Sequence, residues 1–194
     1  MRHTLIMFTA VVVIISFPFT SQAEEKHGRF FAGTGVSYVV ERFDDGDLKD
    51  FPGNSSIDNS WGFNVFGGYW WIKHLAFEGN INWYADFDGQ AESNRDFEIS
   101  IWTAMLDVRV LSPSLWQDRI FPYARVGGGW MDVEIDAKTV DSNDSDFAYN
   151  MGLGVDFFVT HKLSVGLDGK YVWGTGDVSD FNHSTFTLRA AYHF

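Results

Sequence analysis

The stretch that decides the fold is residues 75–86, which read LAFEGNINWYAD. Its apolar side chains recur at every second position, at Leu75, Phe77, Ile81, Trp83 and Ala85. Its polar side chains take positions between them, at Glu78, Asn80, Asn82 and Asp86. A period of two is typical of a β-strand, because successive side chains of a strand point to opposite faces. The stretch therefore predicts a strand with one apolar and one polar face.

The same alternation recurs on both sides of this stretch. It predicts eight strands, over residues 30–43, 60–71, 75–86, 97–111, 120–135, 147–157, 163–173 and 184–194. Connections after odd strands are long and polar, including residues 87–96 and 136–145, and those after even strands are short. The fourth strand is the least regular, since Ile99 and Ile101 fall on its polar face. A bulge, or a strand end outside a membrane, would explain this.

Two barrel architectures fit eight such strands. A soluble lipocalin-like barrel buries its apolar face inside, whereas a transmembrane barrel turns that face to lipid. The polar face carries glycines and charges of both signs, which suits a packed polar lumen. Aromatic residues gather at strand ends, where an interfacial belt belongs, and the last alternating strand ends on Phe194. We predict an all-β, eight-stranded, antiparallel up-and-down transmembrane β-barrel.

The N-terminus reads as an export signal. A short polar start with Arg2 precedes an apolar stretch over residues 5–19, and Ser21-Gln22-Ala23 has the small-x-small pattern of a cleavage site. A membrane anchor is the alternative, but it needs about 20 apolar residues, and Pro18 interrupts the stretch. We therefore predict a signal peptide over residues 1–23, cleaved near Ala23, and a barrel domain over residues 24–194. This predicts localisation in the bacterial outer membrane.

Composition argues against several classes of function. The formal net charge is −12, so nucleic acid is a poor partner because phosphate binding needs clustered Lys and Arg. There is no cysteine, and the six histidines show no metal-binding spacing, so we expect no metal and no cofactor. The best catalytic pair is His183-Ser184, but adjacent strand residues point to opposite faces. We therefore predict that the chain is not an enzyme.

The polar face collects charged side chains that would meet in the lumen. Eight of them form the predicted lumen network: Glu78, Asp107, Arg109, Arg125, Asp156, Asp168, Lys170 and Arg189. Glu41 and Asp86 share that face. One interpretation is an ion path or gate, tested best at Arg125 and Arg189 with Glu78 and Asp168. The favoured interpretation is a structural network, because a narrow barrel fills with side chains and buried charges must be paired.

The predicted outer loops are acidic. The first contains Asp44, Asp45, Asp47, Asp50 and Asp58, and the third contains Asp136, Asp141, Asp144 and Asp146. Hard cations take oxygen ligands, so these loops could bridge to lipopolysaccharide phosphates through Mg²⁺ or Ca²⁺. A solvated loop is the favoured alternative. Residues 141–146 superficially resemble a calcium loop, but they lack its glycine and its distal glutamate.

Three segments resemble a known family. Residues 185–194 end in alternating hydrophobics with Tyr192 and Phe194, residues 121–130 read FPYARVGGGW, and residues 30–38 read FFAGTGVSY. They resemble OmpA-like and opacity-type small outer-membrane barrels, without the periplasmic domain of full-length OmpA. OmpW-like barrels are a neighbouring possibility. The resemblance implies that Tyr192 and Phe194 belong to a C-terminal signal read by the barrel-assembly machinery.

Two non-enzymatic functions remain open. The favoured one is a structural or surface-interaction role, in envelope integrity or adhesion through acidic outer loops. The alternative is a narrow porin-like or OmpW-like conduit for small or amphipathic solutes. The expected partners are outer-membrane lipid, lipopolysaccharide and the assembly machinery, with a surface ligand that the sequence does not name. An eight-stranded wall leaves little free lumen, which favours the first function.

Overall fold

Alternating side chains place most of the described chain in β-strands. The structure is a computed structural model that describes residues 29–41, 60–91, 95–116, 119–137 and 140–194. At residues 41, 85–91, 95–99, 135–137 and 140–143 it describes the backbone alone. The strands are β1 (Phe30–Glu41), β2 (Ser60–Ile72), β3 (Leu75–Ala91), β4 (Arg95–Leu111), β5 (Ile120–Ala137), β6 (Val140–Phe158), β7 (Leu163–Gly174) and β8 (His183–His193). No helix in these ranges is long and apolar enough to cross a membrane. The predicted signal peptide, residues 1–23, lies outside them.

The strands form one closed barrel in chain order, and every neighbouring pair is antiparallel. β1 pairs with β8 from Phe31↔His193 to Glu41↔His183, so the first and last strands complete the ring. A closed ring leaves no unpaired backbone edge, which is what a sheet in lipid requires. The predicted eight-stranded up-and-down barrel is confirmed.

The apolar face of the barrel points outward. Leu153 and Leu188 are 70% and 62% exposed, whereas Glu78 on the opposite face is 1% exposed. A soluble barrel would bury its large apolar side chains inside. This chain instead turns an apolar band outward around a lumen whose middle section is polar, which is the arrangement that hydrocarbon favours. The lipocalin-like alternative is therefore wrong.

Two aromatic girdles border the apolar band. One contains Tyr38, Trp61, Trp83, Trp102, Trp130, Tyr149 and Trp173. The other contains Phe30, Tyr69, Trp71, Phe77, Phe157, Tyr192 and Phe194. Neighbouring rings touch within each girdle, with centroids 5.3 Å apart for Tyr38–Trp61 and 5.0 Å apart for Phe30–Tyr69. Because aromatic rings favour the membrane–water interface, the girdles mark the two surfaces of the hydrocarbon layer.

The two ends of the barrel differ in their connections. The turn end carries the connections after β2, β4 and β6, which have two, eight and four residues, together with the start of β1 and the end of β8. The loop end carries the connections after β1, β3, β5 and β7. Barrels of the outer membrane place short turns in the periplasm and longer loops outside the cell. The prediction that the loop end faces the outside of the cell stays a prediction.

Two of the predicted long loops are largely strand. β3 continues to Ala91 and β4 already begins at Arg95, while β5 continues to Ala137 and β6 begins at Val140. The loop prediction relied on polar composition, but a sheet surrounded by water tolerates polar residues on both faces. The irregularity predicted for β4 lies on its partner, since the β3–β4 register shifts between Tyr84 and Phe87. Ile101 is buried and points inward, beyond the polar section of the lumen.

The connection between β7 and β8 folds over the loop end. Thr175 donates its N–H to the carbonyl of Phe147 over 3.0 Å, and the side chain of Asn182 accepts the N–H of Gly174 over 3.1 Å. Gly176 begins a 3₁₀ helix, Gly176–Val178, at a φ of +52°, where a side chain would also meet the carboxylate of Asp146. These contacts insert Val178 into the barrel, where it is fully buried.

Candidate functional site

The lumen is the candidate site, because the inward side chains of β3 to β8 meet there at mid-height. All eight residues of the predicted lumen network point inward and are 5% exposed or less: Glu78, Asp107, Arg109, Arg125, Asp156, Asp168, Lys170 and Arg189. The side chains of Glu41 and Asp86, which share the polar face in the sequence, lie outside the described parts. The network has four cations and four anions, so its formal charge is balanced.

Glu78 is the centre of the network. Its carboxylate accepts hydrogen bonds from Arg109 over 3.0 Å, from Arg125 over 3.1 Å and from Arg189 over 2.6 Å. A carboxylate has about four acceptor sites, and here Arg189 takes two of them with both of its Nη atoms. Three guanidinium groups from β4, β5 and β8 are thereby tied to one side chain of β3.

Each arginine also binds a second carboxylate, which ties further strands together. Arg109 contacts Asp156 of β6 over 2.5 Å, and Arg125 contacts Asp168 of β7 over 3.2 Å. Arg125 also donates to Asp107 of β4. Charges buried this deeply are stable only when paired and hydrogen-bonded. The network therefore links six neighbouring strands, β3 to β8, across the barrel.

Lys170 belongs to a second, mainly uncharged layer. Its ammonium donates to the Asn82 side chain over 3.1 Å, and within the described residues it forms no ion pair closer than 4.0 Å. Asn82 also donates to Thr103 and Asn80, each over 2.8 Å. Asn80 then donates to Asp107 over 2.6 Å, which joins this amide layer to the charged layer. The structure thus places Lys170 beside the charged core of the predicted network rather than within it.

Two aromatic residues that the sequence analysis did not assign complete the charged layer. The guanidinium carbon of Arg189 lies 3.9 Å from the ring centroid of Phe66, and that of Arg109 lies 3.8 Å from the ring centroid of Tyr123. The Tyr123 hydroxyl donates to Asp168 over 2.8 Å. Cation–π contacts stabilise guanidinium groups away from water. Both rings share the inward parity of the charges, a signal that the sequence already contained.

Glycines on the inward face make room for the charged side chains. A Cβ at Gly127 would collide with the Asp107 carboxylate and lie 2.5 Å from the carbonyl of Leu106. A Cβ at Gly166 would lie 2.5 Å from the Asp156 carboxylate. These distances are far below ordinary van der Waals contact, so the close packing of the network depends on the missing side chains.

Apolar layers cover the network at both ends. At the loop end the buried cluster contains Val39, Tyr84, Ile101, Met105, Met131, Val133, Ala148, Val172 and Val178. At the turn end the buried cluster contains Phe31, Phe66, Trp70, Ala76, Leu111, Phe121, Tyr123, Phe158 and Ala191. Along the barrel axis, the lumen therefore contains an apolar layer, the polar network and a second apolar layer.

Among the residues that the structure describes, one Ser–His pair lies within hydrogen-bond distance, and it is not the pair named from the sequence. His183 faces inward and Ser184 outward, with the His183 ring 5.0 Å from that of Tyr84. Ser164 and His193 instead lie 2.9 Å apart at the turn end, each about 2% exposed. The ring of Phe158 lies 4.7 Å from that of His193, within the turn-end cluster. This burial separates the pair from any substrate in solution.

The acidic loops are only partly described. Asp44, Asp45, Asp47, Asp50 and Asp58, and the side chains of Asp136 and Asp141, lie outside the described parts. Asp146 is described, and its carboxylate accepts the N–H of Phe147 over 2.6 Å and that of Asp177 over 3.4 Å. The described residues hold no group of three or more His, Asp or Glu arranged to bind a metal ion.

Comparison with known proteins places this geometry among membrane barrels. The model of one family, described as outer membrane protein beta-barrel domain, matches residues 9–194. No curated protein matches the chain.

Several solved structures share the fold at low sequence identity. Neisserial surface protein A is 14% identical with a TM-score of 0.63, over 85% of this chain and 97% of that one. The attachment invasion locus protein Ail of Yersinia pestis is 18% identical with a TM-score of 0.54, over 86% and 97%. OprG of Pseudomonas aeruginosa is 11% identical with a TM-score of 0.57, over 87% and 98%. At such identities the likeness concerns the fold alone.

Proposed function

The chain belongs to the outer membrane protein beta-barrel domain family, and from this premise we propose that it is a closed barrel with a structural and surface-interaction role. It anchors an acidic outer surface in the outer membrane and contributes to envelope integrity or adhesion. The filled lumen is the observation that supports this proposal. Narrow eight-stranded barrels are packed with side chains, and here a balanced ion-pair network lies between two apolar layers.

The loop end supplies the surface for interaction. The connecting segments and strand ends there, residues 42–59, 85–100, 131–147 and 174–183, contain eighteen acidic residues and four lysines or arginines. Opposite charges steer encounters, so the surface favours cationic partners, including divalent cations that bridge it to lipopolysaccharide phosphates. Ail has been solved with the heparin analogue sucrose octasulfate, a polyanion. The acidic surface of this chain would repel such a ligand, so its partner belongs to a different chemical class.

Catalysis does not form part of the proposed function. The Ser164–His193 pair is buried beneath aromatic rings, and His183 is about 1% exposed, with Ser184 on the opposite face of the strand. A nucleophile must reach a bound substrate, which neither arrangement allows from solution. The chain is therefore proposed to act through its surfaces.

Export and assembly are proposed to follow the signals in the sequence. Residues 1–23 would direct secretion, with cleavage near Ala23. Tyr192 and Phe194 would present outward rings to the barrel-assembly machinery. Both rings are exposed, and their centroids lie 5.1 Å apart at the turn end.

Single-channel conductance in planar bilayers tests the closed lumen. The refolded protein, shown to be folded by a heat-modifiable gel shift, is expected to be silent. Discrete steps that depend on lumen side chains would instead support the alternative function, a narrow conduit for small or amphipathic solutes.

Variants identify the path if steps are seen. Steps that vanish with Arg125→Gln or Arg189→Gln, but persist with Lys162→Gln outside the lumen, would place the conduit through the charged layer. Steps that none of the three variants changes would place the current outside the lumen and leave the closed barrel in place.

A further inference from the structure

A repeated pattern surrounds the turn end of the barrel. The residue immediately before each odd strand is a cation or an imidazole: Arg29, His74, Arg119 and Lys162. Lys73 and His161 lie next to two of them and add to the same rim. We call these six residues the cationic collar. The pattern recurs at every second strand, which places basic side chains on all sides of the barrel.

Backbone hydrogen bonds hold the four repeated residues at one level. The carbonyl of Arg29 accepts the N–H of Trp70 over 2.8 Å, and that of His74 accepts the N–H of Leu111 over 2.9 Å. The carbonyls of Arg119 and Lys162 accept the N–H groups of Phe158 and His193 over 2.9 and 2.8 Å. Each bond extends a ladder by one residue beyond its odd strand. The collar is therefore a rigid continuation of the barrel wall.

Three of the collar cations face solvent. Lys73, Arg119 and Lys162 are exposed, and none of them forms an ion pair with another described residue. Across residues 24–29, 72–74, 112–119 and 159–162, the sequence has five lysines or arginines and three acidic residues, Glu24, Glu25 and Asp118, which the structure does not describe. The charge at this end thus has the opposite sign to that at the loop end.

The collar lies at the depth of lipid headgroups. Each repeated residue is followed by an outward apolar residue that begins its strand, as Leu75 follows His74 and Leu163 follows Lys162. The neighbouring girdle includes Trp71 and Tyr192, and aromatic rings of this kind mark the membrane interface. Long basic side chains at that depth extend toward the headgroups while their stems cover apolar surface.

We propose that the cationic collar binds the phosphodiester headgroups of anionic phospholipids in the leaflet at the turn end. Charge complementarity and the shared depth select lipid phosphates rather than a soluble anion. Without bridging divalent cations, the acidic loop end repels the same headgroups, so the two ends of the barrel favour leaflets of different composition. The inference depends on membrane insertion and is independent of whether the lumen conducts.

Spin-labelled lipids measure this selectivity directly. The full barrel is refolded in phosphatidylcholine vesicles, and its association with labelled phosphatidylglycerol and labelled phosphatidylcholine is compared. A preference of roughly fivefold for phosphatidylglycerol is expected, the effect of about one cation on one headgroup. The quadruple variant R29Q/K73Q/R119Q/K162Q should reduce the preference to near one. The matched control R42Q/K49Q/R95Q/K138Q removes equal charge from other segments and should keep it.

Two further measurements on the unmodified protein, at varied ionic strength and with added inorganic phosphate, test the proposal without any variant. The preference of the unmodified protein should fall as ionic strength rises, because exposed charges are screened. Excess inorganic phosphate at constant ionic strength should leave it unchanged. The proposal would be overturned by a preference that survives the collar variant, that falls equally in the control, or that free phosphate abolishes. An equal affinity for both lipids in the unmodified protein would overturn it as well.

Discussion

At the scale of single residues, Glu78 connects more of the barrel than any sequence pattern indicated. It accepts hydrogen bonds from arginines of three strands, and its side chain is about 1% exposed. Its neighbour across the β3–β4 ladder is Asp107, and Arg109 faces Arg125 across the β4–β5 ladder. Like charges thus sit side by side on adjacent strands. The network therefore depends on diagonal and cross-lumen contacts to offset their repulsion.

Glu78→Gln should destabilise the barrel strongly. The change keeps the shape of the side chain but leaves three buried guanidinium groups with one anion fewer. Breaking a buried ion pair costs about 3–5 kcal/mol, which should appear in the free energy of unfolding in vesicles. Glu134→Gln makes the same chemical change at an exposed position and should stay within about 0.5 kcal/mol. Equal effects of the two variants would contradict a central role for Glu78.

Gly127→Ala should also destabilise the barrel, for a steric reason. The added methyl group would meet the Asp107 carboxylate and the carbonyl of Leu106. Overpacking of this kind costs about 1–3 kcal/mol in the free energy of unfolding. Gly79→Ala is the control, since a Cβ there faces outward and meets nothing closer than 4.0 Å. If Gly79→Ala were the more damaging of the two, the packing argument would be wrong.

At the scale of strands, alternation predicted all eight strands and, apart from the irregular part of β4, their two faces, but it did not predict where the long strands end or the 3₁₀ helix Gly176–Val178. Residues 136–145 carry five polar or charged residues in a row, from Asp141 to Ser145, and composition of that kind favours a loop. The structure pairs β5 and β6 up to Ala137↔Val140. A hairpin surrounded by water is held together by the backbone hydrogen bonds between its strands and does not require an apolar face. A hydropathy pattern therefore does not predict where a strand ends in water.

Register explains why the site could be predicted only in part. Inward parity was enough to select the eight charged residues, since it depends on sequence position alone. The partners of Arg125, by contrast, lie on β3, β4 and β7. Those contacts depend on how far each strand is shifted against the next around the ring, which alternation does not encode. Tyr123 and Phe66 were missed because aromatic residues on a polar face were not considered as partners of arginine.

Phe194→Ala should separate assembly from stability. The Phe194 backbone N–H donates to Phe30 over 2.8 Å, a bond that the variant keeps, and the ring itself is 65% exposed. Refolding into vesicles should therefore be nearly unchanged, while the amount of folded barrel in cells should fall several-fold. Phe186→Ala removes an equally exposed outward ring away from the terminus and serves as control. A matching loss in cells for both variants would argue against a terminal assembly signal.

At the scale of the whole molecule, charge is divided into three zones. The loop end is acidic, the lumen is balanced and the turn end is basic. Of the 26 acidic residues in the chain, eighteen lie in the loop-end segments and four in the lumen. The net charge of −12 therefore describes one end of the molecule and not its average surface. Two surfaces of opposite sign, held apart by the apolar band, are available for different partners.

Cysteine labelling should show the orientation of these zones. The natural chain has no cysteine, so one introduced thiol is the only target. Ser179→Cys at the loop end and Ser112→Cys at the turn end make the same small change at exposed positions. A membrane-impermeant maleimide added to intact cells should label the first variant and leave the second unlabelled until the cells are lysed. Labelling of Ser112→Cys on intact cells would reverse the assigned orientation.

The seam between β1 and β8 also sets an order in time. β1 is synthesised first, but one of its edges forms its backbone hydrogen bonds with β8, which is synthesised last. Until then a growing chain has two unpaired borders, which hydrocarbon penalises along their whole length. Contacts so distant in sequence form slowly, since a long loop must close before they form. We therefore expect the chain to be synthesised completely before it inserts into the membrane. In the interval, the unpaired strands must be kept soluble by other factors.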